Sequence, residues 1–234
     1  VVMDSDVWSG LAHKTHPQIV RQVHEDYIRA GAMVITANTF STARHVLESI
    51  DLAREVKTIN TEAVKLAQIA RDNAAKEETW IAGSISSMAP LNSLIEVASG
   101  EKVADNYVEL AEILAEAGVD LIIVEMMRDI ENAKLVIKAA LSVGLPVWIG
   151  YSAMMSENRK SVHAWYWKNK LPTSGFDELV ESISTLGGDA AGIMHSQVRD
   201  TAPALEILDR YWSGPKLAYA ETGELEKPDW NFKE

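Results

Sequence analysis

Apolar residues fall into short unbroken runs separated by longer amphipathic stretches. Three passages repeat one arrangement: YIRAGAMVITANTF, LAEAGVDLIIVEMM and STLGGDAAGIMHSQ. In each, a helical pattern stops at a glycine, and a run rich in Val, Ile or Ala follows after two or three residues. Glycine just past a helix end takes the left-handed conformation that caps it. A short apolar run with little alternation suits a strand buried on both faces. Each passage therefore predicts a helix leading into a strand. WIAGSI (80–85), PVWIGYSA (146–153), KLAYAE (216–221) and the opening VVMD predict further strands. Between them, NYVELAEILAEAG sets Val108, Leu110, Ala111, Leu114 and Ala115 on one helical face and Glu109, Glu112 and Glu116 on the other. Strand, helix, strand in alternation predicts a parallel sheet with right-handed crossovers. Seven such strands leave an open doubly wound sheet or an eight-stranded barrel.

The strand ends favour the barrel. Their C-terminal residues are Asp4, Asn38, Ser84, Glu125, Tyr151, His195 and Glu221, all polar. A barrel collects all its strand C-termini around one mouth, where its chemistry sits. An open sheet more often carries a glycine-rich phosphate loop, and neither GxGxxG nor GxxxxGK[ST] occurs. The fold expected is α/β, a (β/α)8 TIM-type barrel forming a single domain over 1–234. A net charge of -12 and a pI near 5.0 argue against nucleic acid as partner, because phosphate binding needs clustered Lys and Arg. No apolar run approaches the roughly 18 residues of a membrane span, and the start lacks a basic then apolar leader pattern. A cytoplasmic protein is expected. With no cysteine, disulfides and thiolate chemistry are absent from these 234 residues.

WSG, VRQVHEDYIRAGAMVITANTFSTARHVLES, IAGSIS, AGVDLIIVEMM and GPKLAYAETGE together resemble the successive signatures of the homocysteine S-methyltransferase family. That family includes betaine-dependent enzymes and the homocysteine-binding part of methionine synthase. The resemblance implies methyl transfer to the sulfur of homocysteine or a related thiol, as in methionine biosynthesis, on a zinc held by three cysteines. It places His195, in Gly-Ile-Met-His, where the family has its first cysteine ligand. The other two belong to a cysteine pair on an eighth strand. PDWNFKE ends the sequence before such a strand, and only three residues separate Asp4 from Trp8. The expectation is that a loop after Asp4 and a C-terminal tail belong to the polypeptide but not to this sequence.

His195 then has several readings: a zinc ligand completed by tail cysteines, a ligand of another metal with Glu221 or Asp4, a general acid or base, or a structural residue. The resemblance assigns Glu125 to the amino group of the substrate, with a salt bridge to Arg128 as the structural alternative. Asp4, Asn38, Thr39, Phe40, Ser84, Tyr151 and Glu221 complete the expected pocket. In MMSENRKSVHAWYWKNKLPTSG, Trp165, Tyr166 and Trp167 offer cation–π faces to a quaternary ammonium donor, or pack a lid or subunit contact. His13, His16, His24 and His45 are expected to face solvent, and Met154 and Met155 to pack. The partners implied are a small thiol and a methyl donor, with neither nucleic acid nor membrane; a homo-oligomer is compatible with this. The competing functions are a barrel that binds an amino acid or thiol without turnover, and a metal-dependent hydrolase or lyase using His195 and Glu221.

Overall fold

Short helices open the described chain, α1 (Ala12–Thr15) and α2 (Pro17–Arg29), followed by β1 (Val34–Thr36), α3 (Arg44–Leu47) and α4 (Val56–Ala74). Then come β2 (Trp80–Ser86), α5 (Glu101–Ala117), β3 (Leu121–Met127), α6 (Ile130–Leu141), β4 (Val147–Tyr151), β5 (Ala153–Met155) and β6 (Val162–Ala164). The remainder is α7 (Phe176–Ser184), β7 (Ala190–Gln197), α8 (Val198–Tyr211), β8 (Lys216–Glu221), β9 (Gly223–Glu226) and β10 (Asp229–Phe232). This computed structural model describes residues 7–87, 101–165, 175–221, 223–226 and 229–232. The expected VVMD strand lies outside them, as do Asp4, Tyr166 and Trp167.

Six strands form one parallel sheet in the order β1-β2-β3-β4-β7-β8, with helices between them. The curl of this sheet makes it a partial (β/α)8 barrel. Partners across a parallel ladder share a face, so the register sorts every strand into an inner and an outer side. On the outer side, Ile81, Ile122, Val124, Ile149 and Ile193 are buried in the large core with Leu110 and Leu114 of α5 and Val136 and Ile137 of α6. Each such side chain, fully buried, contributes about 1.5–3 kcal/mol. The inner side carries a second, smaller core of Ala82, Leu121 and Ile123, with Val34 and Trp148 against it. Ala82 pairs with Leu121, and Ile123 with Trp148, so these residues form an apolar floor inside the sheet. Further along the same face stand Ser84, Ser86 and Glu125.

Gly31 and Gly118 adopt φ of +101° and +86° just past α2 and α5, as the glycine-capped pattern requires. Several expectations need correction. The strand read through Asn38 stops at Thr36. The strand read through 153 stops at Tyr151; Ala153–Met155 instead pairs antiparallel with Val162–Ala164. Val108 is exposed, because α5 buries the line Val103, Tyr107, Leu110 and Leu114, spaced at three and four residues. His13 and His24 are buried and their pKa is lowered by desolvation. His45 packs edge-on against Tyr107 at 5.2 Å, and burial pushes its pKa down to about 4. An imidazole ring is apolar enough to be buried neutral, so helical spacing alone does not place it in solvent. No helix among the described residues is long and apolar enough to cross a membrane.

Candidate functional site

Two backbone irregularities build the site. The β3–β4 register shifts between Val124 and Met127, and the β7–β8 register shifts between Met194 and Gln197. Met126 and His195, inside these bulges, have φ of +58° and +42°. Such conformations are uncommon for side chains other than glycine and re-aim the residues around them. The backbone N–H of Met126 donates to Met194 Sδ at 3.1 Å, which ties one bulge to the other.

Glu125 is buried at the first bulge. Ser84 Oγ donates to its Oε1. Tyr219 OH donates to Oε2 at 3.2 Å and lies 3.4 Å from Met194 Sδ. Burial and then the Glu125 charge hold the Tyr219 pKa well above its usual range, so the phenol keeps its proton and remains a donor. His195 Nε2 stands 3.5 Å from Glu125 Oε2, while Nδ1 is hydrogen-bonded to Glu221 Oε1 at 2.8 Å. The Phe40 ring tilts against the imidazole, centroids 5.4 Å apart. One cation is thus held between two carboxylates beside an aromatic face.

Burial of His195 opposes its charge, but the hydrogen bonds and charges of Glu125 and Glu221 prevail and raise its pKa to about 9. The protonated form is the folded one at neutral pH, with both ring nitrogens donating. Stability from this arrangement is complete below the ordinary value of 6.5 and is lost as pH rises through about 9. Because the side chain is 31% exposed, solvent screening limits the contribution to about 2 kcal/mol. Urea midpoints measured across that interval should fall with rising pH in the wild type. In His195→Asn they should fall much less, and equal slopes would disprove the assignment.

The other expected residues divide by environment. Thr39 is buried, and its hydroxyl both donates to Ser84 O and accepts from Ser84 N–H, each at 2.9 Å. It positions Ser84. Asn38 donates to Ser9 O at 2.9 Å and lies 3.3 Å from His13 Nδ1, bracing the chain ahead of α2. Tyr151 is fully buried against Phe176, 6.1 Å between centroids, away from the Glu125 cluster. Arg128 sits with its guanidinium 5.3 Å from the Trp165 ring centroid, so that aromatic face already has a cation over it. Sequence reasoning missed Tyr219 and Met194. For Tyr219 a signal existed: it precedes Glu221 by two positions in KLAYAE and therefore shares its face.

The donors can be tested against the zinc implied by the resemblance. The two nitrogens of an imidazole diverge, and here each meets a different carboxylate, so no single ion can collect all three groups as arranged. Among the described residues no three His, Cys, Asp or Glu converge to hold an ion, and no cysteine is available in the 234 residues. As arranged, the described residues do not fit a zinc centre.

Comparison with known proteins gives a consistent picture. A family described as Homocysteine S-methyltransferase matches residues 2–230. Betaine–homocysteine S-methyltransferase 1 of Danio rerio is 29% identical over 142 residues, covering 60% of this chain and 34% of that protein. The chain therefore matches about a third of that relative's length. Homocysteine S-methyltransferase 3 of Zea mays is 24% identical, covering 97% of this chain and 72% of that one. Among solved structures, the metallated form of the homocysteine methyltransferase MmuM from Escherichia coli superposes with a TM-score of 0.72 at 19% identity, over 94% of this chain and 77% of its own. At that identity the likeness establishes the fold.

Proposed function

Because the chain belongs to the homocysteine S-methyltransferase family, by its match over residues 2–230, we propose that it transfers a methyl group to the sulfur of homocysteine or a closely related amino thiol. The observation that carries this reading is the setting of Glu125. A carboxylate on the inner face of the sheet, fixed by Ser84 and Tyr219, is a preformed acceptor for a substrate ammonium group. Fixing it beforehand lowers the ordering cost of binding. The apolar floor of Ala82, Leu121 and Ile123 lies below and would shield the carbon chain from water.

The second substrate in this reading is a methyl donor carrying positive charge, a quaternary ammonium such as betaine or a methylsulfonium such as S-methylmethionine. Transfer moves the methyl carbon from that cationic heteroatom to the substrate sulfur; the thiol proton ends on the tertiary amine left by a quaternary ammonium donor, or in solvent when the donor is a sulfonium and leaves as a neutral thioether. A cytoplasmic setting belongs to the same reading, and methionine would be the product from homocysteine.

The test is direct. Purified protein is incubated with homocysteine and either donor carrying a deuterated methyl group, and the product is read by mass spectrometry. Deuterated methionine with one of the donors is the expected result. Homocysteine that neither binds nor reacts with either would overturn the proposal.

A further inference from the structure

The position at which the family resemblance expects a thiolate ligand is occupied by a histidine hydrogen-bonded at Nδ1 to Glu221 and facing Glu125 across 3.5 Å at Nε2, and this mismatch has a chemical consequence. We propose that His195, oriented by Glu221, receives the substrate sulfur through its Nε2–H and stabilises it as a thiolate in place of a metal ion. The inference rests on the reading that the substrate is an amino thiol.

The two contacts of His195 are unequal. Glu221 holds Nδ1 at 2.8 Å, a normal hydrogen bond, whereas Glu125 stands 3.5 Å from Nε2. The loose side is the one that a substrate can enter. A substrate ammonium group drawn to Glu125 Oε2 takes over that carboxylate, and Nε2–H is released toward the carbon chain of the same molecule. Phe40 lies against the ring, and Glu221 keeps it from turning away. This division of labour, one carboxylate for the amine and one for the imidazole, explains why two acids flank a single histidine.

A cation beside a thiol lowers its pKa, as neighbouring histidinium does for reactive cysteines. The thiol proton leaves to solvent, and the thiolate is held by the N–H donor. Its lone pair then attacks the methyl carbon of the cationic donor. A sulfur–carbon bond forms while the carbon–nitrogen or carbon–sulfur bond of the donor breaks, its electron pair remaining on the departing heteroatom. One negative and one positive charge are cancelled, and no oxidant or reductant is needed.

The experiment uses the chain after dialysis against a chelator, titrated with homocysteine by calorimetry and by ultraviolet difference spectroscopy of the thiolate band, with and without one equivalent of zinc. Binding should agree within about threefold between the two conditions, and the thiolate band should appear at neutral pH in the chelated protein. His195→Asn should bind within about tenfold of wild type yet lose the band. If that variant does not fold, Glu221→Gln decides, since it should weaken the band. A thiolate band or binding that appears only with zinc overturns this proposal and leaves the methyltransferase reading standing. Absence of binding in both conditions overturns both. A band that persists in folded His195→Asn, or is unchanged in Glu221→Gln, overturns the role of His195.

Discussion

Glu125→Gln is expected to lower kcat/KM for homocysteine by about 100- to 1000-fold. The reason is the environment of the carboxylate rather than its charge alone. Glu125 is buried, accepts from Ser84 and Tyr219, and faces His195. An amide keeps the shape but has one acceptor oxygen, so its NH2 is turned on one of these donors, and no charge remains to meet a substrate ammonium. Removing one partner of a buried charged pair costs about 3–5 kcal/mol, and each 1.4 kcal/mol is about tenfold. Steady-state kinetics and calorimetric titration should place the loss in KM and Kd more than in kcat. A change below about tenfold would show that the amine is held elsewhere.

Gly192→Ala is the second large effect, and it acts through the fold. A Cβ built at Gly192 collides with the carbonyl and side chain of Leu217 on the adjoining strand. The obstacle is backbone, which cannot swing aside as a flexible side chain could, so β7 and β8 must separate locally. Overpacking of this kind costs about 3 kcal/mol. Because Tyr219 and Glu221 ride on β8, the same displacement should carry the partners of Glu125 and His195 away, and homocysteine affinity should fall with stability. Gly31→Ala is the useful contrast. At φ +101° with no neighbouring atom within 4 Å, it meets only the conformational penalty, about 1–2 kcal/mol. Urea denaturation of the two variants should rank them in that order, with ligand affinity reduced only in Gly192→Ala.

Much of this architecture was legible in the chain because burial on both faces leaves a plain mark. LIIVEMM, buried along its whole length, coincides with β3 as folded, and the glycine stops before Val34 and Leu121 correspond to real helix ends; KLAYAE also coincides with β8, although that strand is largely exposed. Glu125, His195 and Glu221 could be picked out as polar ends of apolar runs, and the structure brings them together with Ser84. The bulges could not be read. Whether a strand carries one extra residue depends on its partner's register, which no local pattern records. For the same reason the sequence did not show that Thr39 would brace Ser84 or that Tyr151 would sink beneath Phe176. The hairpin of β5 and β6 was hidden because three-residue strands are too short to display a period. The buried histidines were misplaced because periodicity reports which face a residue lies on, and not how many elements will later cover that face.

The left-handed backbone at position 195 also acts as a filter on what evolution could have tried there. At φ +42° a β-branched or bulky residue is strained, while glycine, asparagine, aspartate and histidine are tolerated comparatively well. Of these four, only a ring with two divergent N–H groups can answer acids on two sides. The conformation of the main chain therefore narrows the replacements open to this site before any chemistry is selected, and a cysteine at 195 would have to overcome that backbone preference first.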